Sequence, residues 1–180
     1  NVTNLMLDPN VYLISLPVMK VHGLVAVTLS AKNVLMAAPV KGGDEKYKMH
    51  IGSRGKEFRN SPRDPKFNKM INYNLFRMAH YVRPDLAVID GFIAMERQGP
   101  GGGDPVPIHT AVASTDFVAA DRIAIDLMGH EFDKIGYLSY CADAQMGNGD
   151  PARIDVLGER VSQLARPFVR VQYYDSLTVW

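Results

Sequence analysis

The sequence predicts an α/β domain: a layered, mixed or mainly parallel sheet flanked by helices. Three observations carry that prediction. Short apolar runs rich in β-branched residues alternate with longer segments whose apolar residues recur at helical spacing, the pattern of strands separated by helices. Hydrophobic residues make up 47% and charged residues 22%, a globular composition. The 180 residues suffice to bury a sizeable core, so one domain over 1–180 is expected.

The first apolar run, residues 11–18, mixes β-branched and aromatic residues and fits a buried strand, with Pro17 near its end. Residues 24–38 are almost continuously apolar. Leu24, Thr28, Ala31 and Leu35 fit a helix, Val25, Val27 and Leu29 a strand, and the length favours the helix. Residues 39–65 hold four glycines and three prolines and predict a long basic loop excursion. Asp64 as N-cap and Pro65 in the first turn then open a helix that Pro84 stops. A buried strand is expected at 86–91, ending in Asp90-Gly91, and another at 108–115 after the glycine-rich stretch 99–103. Asp116 caps an apolar helix closing at Gly129, Asp133 a further helix through Met146, and residues 168–174 alternate as a half-exposed strand would.

The same sequence excludes several classes. No stretch approaches the ~20 apolar residues of a membrane helix. Cys141 alone excludes an intramolecular disulfide framework, and its helical face of Ile135, Leu138 and Ala142 makes it a buried small hydrophobe. No basic n-region precedes an apolar h-region, so the default location is the cytoplasm, with export of a longer precursor left open. Net charge is +1, yet residues 41–69 carry nine cations against four carboxylates. That lobe is either a solvated loop or a surface for an anion; without a binding motif, nucleic acid is disfavoured.

Several positions could carry chemistry. Lys20 and His22, two apart in extended chain, emerge on the same side past the first strand, at the carboxyl edge where open α/β sheets bind ligands. A cation and an imidazole there hold an anion and move a proton, or are ordinary loop residues. Lys32-Asn33 interrupts apolar sequence; Lys32 either faces solvent or enters a pocket where its pKa falls. His22 and His50 with Asp90, Glu96 or Asp104 make a two-histidine-one-carboxylate metal set conceivable. Gly101, Gly102 and Gly103 let backbone N–H groups approach an anion, although neither a P-loop nor a dinucleotide fingerprint is present. Asp121, one turn after Asp116, has mostly apolar neighbours and must find a partner, structural or functional.

The ordered segments Leu16-Pro-Val-Met-Lys-Val-His22, Val27-Thr-Leu-Ser-Ala-Lys-Asn33 and Arg83-Pro-Asp-Leu-Ala-Val-Ile-Asp-Gly91 resemble the bacterial and archaeal domain of unknown function 362 family. Met95-Glu96, the 99–107 stretch, Ala113-Ser-Thr-Asp-Phe-Val-Ala-Ala-Asp121 and Leu127-Met-Gly129 extend the resemblance over about residues 11–158. The family has no assigned general reaction. Some members carry appended ferredoxin-type cysteine motifs, but this chain alone ligates no iron–sulfur cluster. The resemblance also implies that the chain is the C-terminal portion of a larger family domain or a shortened relative of it.

The resulting expectation is a small anionic metabolite bound at the carboxyl edge, with metal-assisted acid/base catalysis if a divalent ion is present. His22, Lys32 and Asp121 would be catalytic. Lys20, Asn33, Gly101, Gly102, Gly103 and Asp104 would bind ligand, and His22, Asp90 and Glu96 would hold the metal. The alternative is a non-catalytic module that docks a redox partner or senses a ligand. Oligomeric state is left open.

Overall fold

The computed structural model describes residues 2–40, 48–50, 65–172 and 174–177. Six strands form one mixed sheet: β1 (Ile14–Ser15), β2 (Val18–His22), β3 (Ala26–Thr28), β4 (Leu86–Glu96), β5 (Asp104–Val106) and β6 (Thr110–Ser114). The helices include α1 (Ser30–Ala37), α2 (Pro65–Ala79), α3 (Phe117–Leu127), α4 (Gly136–Asp143) and the single turn α5 (Val161–Leu164). The α/β class is as expected.

β4 is the central strand. Ala87 pairs with Ser15 of β1 and with Ser114 of β6, so those two strands lie on opposite sides of it. β1 and β2 run parallel to β4 along one side; β5 and β6 run antiparallel along the other, and β3 pairs antiparallel outside β2. The parallel strands therefore bring the ends of β2 and β4 to a common carboxyl edge, where Lys20 pairs with Met95. Between the Val18↔Asp90 and Lys20↔Met95 pairs the register shifts, and this bulge re-aims the end of β4.

Alternation decides the faces. Ser15, Met19, Val21, Ala87 and Ile89 are buried under the helices, with α1 and α3 against the sheet and α2 packed on α1 and α4. Ile14, Leu16 and Val18 point the other way and are exposed. The main buried cluster runs from Met19 to Leu177 and includes Leu29, Leu35, Ile71, Leu75, Ile125, Tyr137 and Tyr174. Cys141 lies within it, and burial pushes its thiol up to about 12, as suits a packing residue.

Local signals account for several boundaries. The Asp116 carboxylate accepts from the N–H groups of Val118 and Ala119, capping α3 as its sequence predicts, and also accepts from Asn148. Gly129 closes that helix region with φ +65°. The expected helix at 24–38 is half strand: after a turn at 23–25, Ala26 takes φ +63°, and residues 26–28 pair with β2 before α1 begins at Ser30. Tertiary pairing overrides length there. The run at 11–18 breaks at Pro17, whose carbonyl accepts from Asp90 N, and resumes as β2 through His22.

Two further expectations are corrected. Residues 168–172 form no strand, because the Val169 N–H donates to the Glu96 carboxylate instead of a ladder. Asp133 caps no long helix; it lies in a 3₁₀ turn (Phe132–Lys134), and α4 starts at Gly136 and ends at Asp143. Most of the basic excursion at 39–65 lies outside the described residues.

Candidate functional site

β2 ends in Lys20-Val21-His22, and β3 lies against it with Lys20 opposite Thr28 and His22 opposite Ala26. Cross-strand partners share a face, so Lys20, His22 and Thr28 lie together. Lys32 follows Thr28 by four residues, in the first turn of α1, and its Nζ donates to Thr28 Oγ1 at 3.3 Å. Strand, turn and helix start thus gather three basic side chains at the carboxyl edge.

Their electrostatics are unusual. Lys32 is only 5% exposed, and burial, followed by the Lys20 charge, lowers its pKa to about 8. Lys20 is half-buried; its Nζ donates to Val18 O at 3.1 Å, and desolvation lowers its pKa as well. His22 is 4% exposed and held well below the ordinary imidazole range by burial and then by the charges of Lys32, His50 and Lys20. Its Nδ1 accepts the Leu24 N–H at 3.1 Å, so the neutral ring carries its proton on Nε2. Among the described residues, no carboxylate lies on either amine.

Two neighbours gave no warning in the sequence. Thr28 holds the Lys32 amine, and Asn68 of α2, 6% exposed, donates through Nδ2 to Leu24 O while its Oδ1 has no partner among the described residues. The legible signal for the latter is Asn68 with Asn72, two amides at i, i+4 spacing, both buried. Asn72 is spent structurally, since its Oδ1 accepts from Tyr137 N.

Other sequence-derived candidates lie elsewhere. Asp121 is fully buried at the start of α1, where Oδ1 accepts from Ser30 N (2.8 Å) and Ser30 Oγ (2.5 Å) and Oδ2 from Ala31 N (3.1 Å). Asn33 is exposed and donates to Ser15 Oγ. Asp90 accepts from the nearby Phe92 N–H, beside Val18, and four residue steps along β2, about 13 Å, separate Val18 from His22. Because Met95 pairs with Lys20, Glu96 turns to the opposite face, where it accepts from Val169 N. Asp104 makes an exposed ion pair with Arg97 at 2.7 Å. Among the described residues no three His, Cys, Asp or Glu side chains meet, so His22, Asp90 and Glu96 do not form one donor set.

The glycine loop does reach this edge. Gly99 O accepts from Gly23 N, next to His22, and a Cβ on Gly99 would collide with the Val21 carbonyl. Gly103 is similarly walled by the Glu96 and Gln98 carbonyls, whereas Gly101 and Gly102 face open space, Gly102 at φ +78°. Gly99→Ala is therefore expected to cost about 3 kcal/mol by forcing β2 outward, with Gly101→Ala near neutral. Urea unfolding of both variants checks this; equal stabilities would refute the contact.

The fold and this edge define a mixed α/β domain with a cation–imidazole cluster at the ends of its parallel strands. The chain belongs to the family described as domain of unknown function (DUF362), whose model matches residues 7–126, from before β1 almost to the end of α3. It is also similar to the thylakoid-associated protein sll1697 of Synechocystis sp. (strain ATCC 27184 / PCC 6803 / Kazusa), 31% identical over 115 residues. That match covers 64% of this chain and 32% of the relative, so it spans about a third of the relative's length. No solved structure matches. Among the described residues, no helix is long and apolar enough to cross a membrane.

Proposed function

We propose that the domain binds a small anionic metabolite at the carboxyl edge of its sheet, between Lys20 and Lys32, with His22 donating through Nε2. One observation carries this reading. Two amines and an imidazole are desolvated together without a carboxylate among the described residues, and an anion would relieve the repulsion between the two ammonium groups. The open side of Gly101 and Gly102 leaves room beside the loop that touches Gly23. A neutral imidazole that donates a hydrogen bond suits polarising a bound oxygen. No step is routed through a metal, because Asp90 lies beside Val18, about 13 Å along β2 from His22, and Glu96 is on the opposite face.

Isothermal titration with inorganic phosphate, sulfate and malonate tests the site. Saturable binding of at least one, weakened tenfold or more in Lys20→Ala and in Lys32→Met, is the expected result. Binding of none, or binding indifferent to both substitutions, would overturn it. The rival reading, docking through the basic stretch 41–69, rests on residues mostly outside those described.

A further inference from the structure

We infer that Lys32 is a nucleophilic amine that forms an imine with a small carboxylate bearing an aldehyde or ketone, the simplest class being 2-oxo acids. This deepens the anion-binding reading and rests on it. Structural lysines usually keep their ammonium in water or set it on a carboxylate. Among the described residues Lys32 does neither: it is 5% exposed, its amine is held by a neutral hydroxyl 3.3 Å away, and a second cation stands nearby. That environment disfavours the ammonium and leaves a usable fraction of free amine near neutral pH.

The three basic groups then take distinct parts. Lys20, half-buried and hydrogen-bonded to its own strand, keeps its charge more readily and holds the substrate carboxylate. His22, with Nδ1 occupied by Leu24 N–H, presents Nε2–H to the carbonyl oxygen and stabilises it as the π pair moves onto it. The Lys32 lone pair forms the N–C bond. The oxygen then departs as water with both protons that the amine nitrogen gives up, leaving C=N; no oxidant or reductant is consumed. Thr28 Oγ1 orients the amine before attack.

The test is reductive trapping on the full chain with glyoxylate or pyruvate and sodium cyanoborohydride, which supplies hydride to the imine and fixes it as a secondary amine. Intact mass and peptide mapping of the unaltered chain supply the readout, so it does not depend on a variant folding. The expected result is about one adduct at Lys32, competed by malonate and absent in Lys32→Arg. Adducts scattered over the other lysines, with Lys32 unenriched, would overturn it. Malonate titration of the same preparation separates the two readings. Malonate binding without a Lys32 adduct refutes the imine and keeps the anion site; neither binding nor adduct refutes both.

Discussion

Asp121→Ala lowers the unfolding free energy by about 4 kcal/mol, a larger loss than Gly99→Ala should cause. The carboxylate is fully buried and serves three donors at the start of α1: Ser30 N, Ser30 Oγ and Ala31 N. Truncation strands all three, and each buried unsatisfied donor costs about 1–3 kcal/mol. Partial relaxation brings the sum down. The damage also spreads along a chain of contacts, since Ser30 O accepts from Ser15 Oγ, which in turn accepts from Asn33. A melting-temperature drop of roughly 8–16 °C follows for a chain of this size. Asp121→Asn keeps one acceptor oxygen for Ser30 but sets an NH₂ against Ala31 N, so it should lose about half as much.

The pH dependence gives a second readout. Burial raises the Asp121 pKa from 3.8 to about 7, against the pull of its three donors. The folded chain therefore holds a proton that the unfolded chain has lost. This contribution is full below about pH 4 and disappears as pH rises through about 7. His130, lowered to about 4 mainly by burial, works in the opposite direction between about pH 4 and 6.5. The informative quantity is thus the difference between the parent and Asp121→Asn, measured by urea unfolding at pH 5 and pH 8. A parent advantage that shrinks at the higher pH is expected; a stability of Asp121→Ala within about 1 kcal/mol of the parent would sink the account.

Local chemistry made some of this legible in the sequence. The Asp116 cap, the start of the strand at Leu86 and the placing of Lys20 with His22 on one side follow from short-range rules of capping and period-two alternation, although the strand runs past its expected end at Asp90-Gly91 to Glu96. What failed needed the partner strand. The 24–38 segment has apolar residues at both periods, and only pairing with β2 makes 26–28 a strand. The 168–174 alternation is real, but the Val169 N–H goes to the Glu96 carboxylate and the Phe168 N–H to the Met128 carbonyl, not to a neighbouring strand. Asp90 and Glu96 stand in sequence at the right end of a strand beside the site. The bulge in β4 and the alternation after Met95 nevertheless direct them elsewhere, and neither can be seen without register. Thr28 escapes a reading of the sequence for a plainer reason: an uncharged residue in an apolar run gives little signal until its partner is known.

Lys32→Met should stabilise the unliganded chain while destroying its affinity for anions, and the two effects together distinguish a functional lysine from a structural one. Methionine keeps the unbranched stem and removes an ammonium that is 5% exposed and faces no carboxylate among the described residues. A pKa of about 8 in the folded chain, against 10.5, means that folding expels a proton the unfolded chain would keep. At pH 7 this penalty is present almost in full, about 3 kcal/mol, and the parent recovers it as pH climbs from about 8 to 10.5. The variant should therefore be more stable than the parent at pH 7 by about 2 kcal/mol after the lost Thr28 bond is counted, with the gap closing by about pH 10. An anion that binds only the folded state reverses the order: at a hundred times its dissociation constant it adds about 2.7 kcal/mol to the parent and little to the variant. Unfolding curves at pH 7, with and without saturating malonate, would show the crossing. If Lys32→Met were instead the less stable chain under both conditions, the amine would be part of the scaffold, and the cluster at the carboxyl edge would lose its claim to a ligand.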